Sequence, residues 1–175
     1  MVKELSKITH LPLDVHLMVK NPQRKLNKYL KAGADIITVH YEAFKNKKKL
    51  VKTFKKISKH AQVGLSIKPN TDVKEIFHLL KYVDVVLVMS VEPGKSGQKF
   101  LNKTYTKIKK LYTYINNNYL KTLIEVDGGV NDKNLDDLLI YGVDILVMGS
   151  YLYKNRDNLE DLLFLRENIS NSLLH

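Results

Sequence analysis

One pattern recurs six times along the 175 residues and leaves few folds open: a short apolar run, a polar or glycine-rich joint, then an amphipathic stretch. The runs are Leu13 to Val19, Asp35 to His40, Val63 to Ile67, Val83 to Val91, Thr122 to Val126 and Asp144 to Met148. They are rich in β-branched residues and nearly continuous, as expected of parallel strands covered on both faces. Helical periodicity fills the intervals over Pro22 to Ala32, Lys47 to Lys59, Asp72 to Leu80, Lys103 to Asn116, Asn131 to Tyr141 and Leu159 to Ser170. Asn21 before Pro22, Thr71 or Asp72, and Asn131 with Asp132 suit helix starts. Gly33 and Gly142 suit positions just past helix ends. Residues 1 to 10 carry Val2, Leu5 and Ile8 and read as the tail of a helix.

Strands alternating with helices predict a parallel α/β sheet, either open and doubly wound or closed into a barrel. The joints favour the barrel. Polar residues follow the strand in nearly every unit: His16, His40 and Glu42, Lys68, Ser90 and Glu92, Asp127, Ser150. A barrel gathers all its strand ends at one mouth, whereas an open sheet uses mainly its switch point. The expectation is one domain over residues 1–175, a TIM-type (β/α)8 barrel of which about six units are present. A full barrel takes ~250 residues.

Composition removes several function classes. There is no cysteine, which excludes disulfides and thiolate metal sites and suits an intracellular, cytoplasmic protein. No apolar run approaches the ~20 residues that span a bilayer, so no membrane role is expected. Lys+Arg (29) exceed Asp+Glu (18), a net charge of +11. The lysine clusters fall on helical stretches without an aromatic-interleaved stripe, so they read as solvated helix faces and not as a nucleic-acid surface. The positive field favours encounter with an anionic small molecule.

Three motifs carry candidate chemistry. His16 and Met18 share one face of a strand, and a period of 2 points both into a barrel. Among other polar strand ends, His16 is a metal-ligand candidate. Asp127 ends a strand and is followed by Gly128, Gly129 and Val130, where backbone N–H groups can approach an anion. Met148, Gly149 and Ser150 end the next strand, and glycine-rich ends on the last two strands of a barrel are where such folds bind phosphate. The loop from Met89 to Gln98 contains Pro93, Gly94, Ser96 and Gly97 and is a candidate mobile lid.

In this order, His16-Leu-Met18, His40-Tyr-Glu-Ala43, Ile67-Lys-Pro-Asn-Thr71, Met89-Ser-Val-Glu-Pro-Gly94, Val126-Asp-Gly-Gly-Val130 and Gly149-Ser150 resemble the ribulose-phosphate 3-epimerases, from about Leu11 to Tyr153. The resemblance implies C3 epimerisation of a ketose phosphate by two-base proton transfer through a metal-stabilised enediolate. It implies that His16 and Asp127 are ligands of a divalent metal (zinc or iron(II), with manganese or cobalt as alternates). Asp127 would also be one of the two acid/base carboxylates, and Met18 and Met89 an apolar wall. His16, Gly94, Ser96, Gly97, Gly128, Gly129, Val130, Gly149 and Ser150 would contact the sugar phosphate, while Glu42, Lys68 and Glu92 would support the site. A homo-oligomer is compatible with the family.

Two departures stand out. The family's lid reads Gly-Phe-Gly-Gly-Gln where this chain has Gly94-Lys-Ser-Gly-Gln98. The family's first two units, which bring a further metal-binding His and the partner Asp in a His-x-Asp-x-Met-Asp-Gly motif, have no counterpart. The chain therefore reads as an epimerase barrel lacking those units. The alternatives are a catalytically dead sugar-phosphate-binding relative and an epimerase of another ketose phosphate.

Overall fold

A computed structural model describes residues 1–95 and 97–157; Ser96 and the helix expected over Leu159 to Ser170 lie outside the described residues. Six parallel strands, β1 (Asp14–Leu17), β2 (Ile36–His40), β3 (Gln62–Ile67), β4 (Val85–Met89), β5 (Leu123–Asp127) and β6 (Ile145–Val147), pair in sequence order. Helical segments alternate with them, so the sheet curls as a half-barrel with its helices outside. All six expected strands are present, each within a few residues of its expected limits.

Strand parity divides the sheet into two faces. Val15, Leu17, Ile37, Val39, Val63, Leu65, Ile67, Val86, Val88, Ile124 and Val126 belong to the main core with the helices. Residues of the opposite parity face the lumen, where Leu87, Met89 and Val91 form a separate apolar cluster. The lumen face also carries Asp14, His16, Thr38, His40, Ser66, Glu125 and Asp127. The strands thus alternate more than their apolar look suggests.

The helices wrap the outer face for ordinary reasons. α1 (Val2–Ile8) precedes β1, as expected, and α2 is short (Leu26–Leu30). α3 (Lys47–Ile57) buries Leu50, Thr53, Phe54 and Ile57, the i, i+3, i+4, i+7 stripe of an amphipathic helix, and Asn46 caps it by accepting from Lys48 N and Lys49 N. α4 (Lys103–Asn117) buries Thr104, Lys107, Ile108, Leu111 and Ile115 in the same manner. Lys52, Lys55, Lys56, Lys109 and Lys110 are exposed, as expected of solvated faces. Lys107 is not: its Nζ donates to Lys68 O (2.7 Å) and Pro69 O (3.3 Å), tying α4 to the end of β3. Burial pulls its pKa down to about 8.

Three expected helices differ. The third is two 3₁₀ segments, Val73–Glu75 and Phe77–Tyr82, started by Asp72, which accepts from Lys74 N. Its buried residues are Val73, Ile76, Leu79 and Leu80, of which the first three keep the three-residue spacing of a 3₁₀ helix. The second divides into a 3₁₀ turn, Pro22–Arg24, and α2, and Asn21 enters it in the left-handed region without a side-chain cap. The fifth, α5 (Leu135–Ile140), starts late because Asn131 and Asn134 close a local turn: Lys133 N donates to Asn131 Oδ1, and Asn131 N to Asn134 Oδ1. A sixth helix, α6 (Gly149–Lys154), begins directly after β6.

One device repeats at the N-terminal ends of the strands. Asp35, Asp84 and Asp144 each precede a strand and accept, at 2.7 Å, the backbone N–H of Leu13, Val63 and Ile124 at the start of the strand before. Each charge-assisted bond is worth about 1.5–3 kcal/mol and pins the register of β1/β2, β3/β4 and β5/β6.

Candidate active site

Curling is what creates the site. In a flat sheet β1 and β5, four neighbours apart, would lie roughly 19 Å from one another at about 4.8 Å per strand. Here His16 Nδ1 on β1 stands 3.7 Å from Asp127 Oδ2 on β5. Both side chains are half-buried on the lumen face at the C-terminal ends of their strands.

A cleft of about 750 Å³ opens beside this pair, a size suited to a small ligand. It is lined by Asp127, Gly128, Gly129 and Val130 from the end of β5, by Gly149 and Ser150 from the start of α6, and by Gly94, Lys95, Gly97 and Gln98 from the loop after β4. Met18 and Met89 contribute the apolar wall. Ten residues expected to bind substrate or shape the site therefore line one space. His16 is not part of that lining; it stands beside Asp127 at the edge of the cleft. A neighbouring cavity of about 660 Å³, beyond Met18 and Gly94, is bordered by His40, Glu42, Lys45 and Lys68.

The glycines are not equivalent. Gly128 and Gly129 have positive φ (122° and 65°). A Cβ on Gly128 would collide with Val91, and one on Gly129 would sit 2.6 Å from Phe100 N and 2.8 Å from Gln98 O. These two are demanded by the protein's own packing, because the loop after β4 folds directly over them. Ser90 reinforces the contact, its hydroxyl donating to Asp127 O (2.9 Å) and Gly128 O (2.5 Å). Gly149 differs: its φ is ordinary, and among the described residues a Cβ there would meet nothing within 4 Å. Packing among the described residues does not explain that glycine.

The loop is held by a residue the sequence reading left without a role. Gln98 Nε2 donates to Glu92 O (2.7 Å) and Lys95 O (2.8 Å), closing the 92–98 segment on itself. Its glutamine matches the family's lid, so the signal is present in the motif, where it marks only the end of the candidate lid.

Behind the pair, a chain of polar side chains crosses three strands. His16 Nε2 and His40 Nε2 lie 2.8 Å apart, with the rings stacked at 4.8 Å between centroids. His40 Nδ1 lies 3.4 Å from Glu42 Oε2. Glu42 Oε1 accepts from Lys68 N (2.8 Å) and from the Thr71 hydroxyl. Burial alone would push the Glu42 carboxyl up, but the nearby His40 imidazole and the hydrogen bonds from Lys68 N and Thr71 outweigh it and hold the pKa at about 2. Glu42 thus lies behind the pair and is linked to it through His40. His10, His60 and His78 are all exposed and take no part.

That depression makes a pH prediction. The ionised Glu42 is favoured by the fold, so its contribution is complete above about pH 4.5, its ordinary value, and is lost as pH falls through about 2. Discounted for partial solvent exposure, it amounts to about 1–2 kcal/mol. Glu42→Gln should lower stability by that much at pH 7 in urea unfolding, and the gap should close between pH 4.5 and 2. A gap unchanged across that window would remove the carboxylate from this role.

Deeper in the lumen, Glu125 is buried and its pKa is pushed up to about 8, by burial first and then by the Asp14 and Asp127 carboxylates. Burial also raises Asp14. Glu125 is therefore protonated at neutral pH, so the three acids share the lumen without three full charges. Their spacing, two residues before His16 and two before Asp127, was legible as strand parity.

For a divalent ion, His16 Nδ1 and Asp127 Oδ2 offer two convergent donors, the two expected ligands. Among the described residues no group of three or more His, Asp or Glu forms a metal site. The pair fits one side of such a site, against the three or four protein ligands zinc uses. No helix among the described residues is long and apolar enough to cross a membrane.

Similarity to known proteins agrees with this geometry. The family model described as "Ribulose-phosphate 3 epimerase family" matches residues 1–153. The ribulose-phosphate 3-epimerase of Bacillus subtilis is 38% identical over 157 residues, 89% of this chain and 71% of that protein. That of Mycobacterium bovis is 34% identical over 174 residues, 99% of this chain and 75% of the relative. Among solved structures, the TIM barrels 3-hexulose-6-phosphate synthase from Salmonella typhimurium (TM-score 0.59, 18% identity, 87% of this chain and 70% of that one) and tryptophan synthase α-subunit from Pyrococcus furiosus (0.60, 19%, 99% and 71%) share the fold. By its family match, its relatives and the residues that line its cleft, the chain belongs to the ribulose-phosphate 3-epimerase family.

Proposed function

We propose that the protein epimerises D-ribulose 5-phosphate at C3 to D-xylulose 5-phosphate, a reaction of the non-oxidative pentose phosphate pathway. The observation that carries this reading is a juxtaposition: the Asp127 carboxylate and Gly149, a glycine that packing among the described residues does not require, open onto one cleft. Gly149, Ser150, Gly128 and Gly129 receive the phosphate, and the loop from Gly94 to Gln98 covers it, with Lys95 adding positive charge. This orients the ketose across Met18 and Met89 so that C3 faces Asp127, which exchanges the C3 proton on its face; inversion then requires a second acid/base group to deliver a proton to the opposite face. A divalent cation held by His16 and Asp127, zinc or iron(II) by preference, would supply positive charge against the negative charge that proton removal leaves on the substrate oxygens. Glu92 and Lys68 support the rim.

One observation favours a second reading, a relative that binds sugar phosphate without turnover: among the described residues no group of three metal-binding side chains assembles. A coupled assay for xylulose 5-phosphate, with and without added Zn2+, separates the two. Activity in either condition supports the first reading, and binding without activity supports the second. Gly149→Ala sharpens the assignment of the phosphate. It should leave stability unchanged or raise it by about 0.4–1 kcal/mol, while raising KM roughly tenfold, the equivalent of about 1.4 kcal/mol. In a protein with no turnover, the Kd for ribulose 5-phosphate should rise by the same factor. An unchanged KM or Kd would take Gly149 out of the phosphate site.

A further inference from the structure

We infer that Glu42 and His40 form a positioning pair that fixes His16 as the tautomer protonated on Nε2, leaving Nδ1 without a hydrogen and aimed at Asp127. The functional meaning of this rests on the reading of His16 and Asp127 given above, but the tautomer itself does not. Two hydrogen placements are open along the chain from Glu42 to Asp127, and they run in opposite directions. In one, His40 carries its hydrogen on Nδ1 toward Glu42 and accepts at Nε2 from His16. In the other, His40 donates through Nε2 to His16, and His16 donates through Nδ1 to Asp127.

The geometry favours the first. Glu42 Oε1 already accepts from Lys68 N and Thr71, so the carboxylate is an acceptor held in place from one side. Its other oxygen, Oε2, and His40 Nδ1 are both buried, and neither has a hydrogen-bond partner among the described residues. They lie 3.4 Å apart. A hydrogen on His40 Nδ1 turns that contact into a long attraction; a bare nitrogen would set two lone pairs against each other in a buried space, with nothing to relieve either. The 2.8 Å between the two Nε2 atoms requires one hydrogen between them, and His16 must then supply it. At the far end, 3.7 Å between His16 Nδ1 and Asp127 Oδ2 is too long for a hydrogen bond and suits two electron pairs with no proton between them. The second placement would need that gap closed and the Glu42 contact opened.

His16 Nδ1 and Asp127 Oδ2 thereby present two lone pairs to one point. That point suits a divalent cation or a hydroxyl proton of the bound sugar, and orienting partners of this kind typically change metal affinity or activity by about 10–100-fold. Glu42 and His40 are positioning residues: they act through His16 and do not touch the cleft lining assigned to substrate.

The test is long-range 1H–15N NMR of the 15N-histidine-labelled full chain without metal or substrate, which reports the hydrogen on each imidazole nitrogen directly. The six histidines are assigned by single His→Gln variants. The expected spectrum has His16 protonated on Nε2 and bare on Nδ1, and His40 protonated on Nδ1. In Glu42→Gln the amide can donate to His40 Nδ1, and His16 should switch to the Nδ1-protonated form. A wild-type His16 carrying its hydrogen on Nδ1, or an unchanged tautomer in a folded Glu42→Gln, overturns the inference. The wild-type spectrum decides alone if the variant does not fold. These results stand whether or not the protein epimerises. The expected tautomers in a protein without turnover would overturn only the proposed reaction.

Discussion

Asp127→Asn is expected to lower epimerase turnover by roughly 10²–10⁴-fold, the range spanned by loss of a positioned acid/base group. The fold should survive the change. The structural work of residue 127 is done by its backbone: its carbonyl accepts from Ser90 N and the Ser90 hydroxyl, both at 2.9 Å, and these bonds are indifferent to the side chain. The amide matches the carboxylate in size, so the apolar packing around β5 is undisturbed. What is lost is the ability to take a proton, together with the carboxylate oxygen that faces the same point as His16 Nδ1. Steady-state kinetics alongside urea unfolding separates these effects: low kcat with a near-normal midpoint is the expected pair. Near-normal turnover would remove Asp127 from the chemistry.

Gly129→Ala should have the largest effect on stability, about 2–4 kcal/mol, and should weaken substrate binding as well. Its φ of 65° lies in the left-handed region, which costs an alanine about 1–2 kcal/mol. The new methyl would also meet Phe100 N and Gln98 O, and overpacking of this kind costs typically 1–3 kcal/mol. Backbone cannot rotate aside as a side-chain tip can. The relief open to the protein is to lift the segment around Gln98 to Phe100 off β5, which disturbs the clasp that Gln98 makes with Glu92 and Lys95. Chemical denaturation measures the first effect, and KM, or the Kd for ribulose 5-phosphate, the second. A variant with unchanged stability would mean that the loop does not pack on Gly129 in solution. The contrast with Gly149→Ala is informative, because both glycines line the same cleft and, among the described residues, only Gly129 is required by packing.

The contrast also marks where sequence reasoning reached its limit. Both glycines read alike as places where an anion approaches backbone, since a motif records the absence of a side chain and not its cause. Only coordinates separate a glycine demanded by a neighbouring loop from one facing open space. The third helix is a similar case. Its apolar residues, with Val73, Ile76, Leu79 and Leu80 all buried, fit an α-helical or a three-residue repeat over so short a stretch, and only the backbone hydrogen bonds from Ile76 N to Val73 O and from Leu79 N to Ile76 O separate the two. Glu42 was legible as a polar strand end with a supporting role, but its partners lie on β2, on the segment after β3 and, through His40, on β1.

By itself the sequence determined the six-fold repeat, the strands, and the side chains that share each strand face, because strand parity is a local property of the chain. It determined the family too, through motifs whose order and spacing survive at 34–38% identity. Tertiary structure alone decided how the strand ends meet. Strands four neighbours apart come within reach only when the sheet curls, and that curl is a sum over every inter-strand twist, written in no single segment. It brings His16 to Asp127, seats His40 and Glu42 behind them, and folds the loop after β4 onto Gly129.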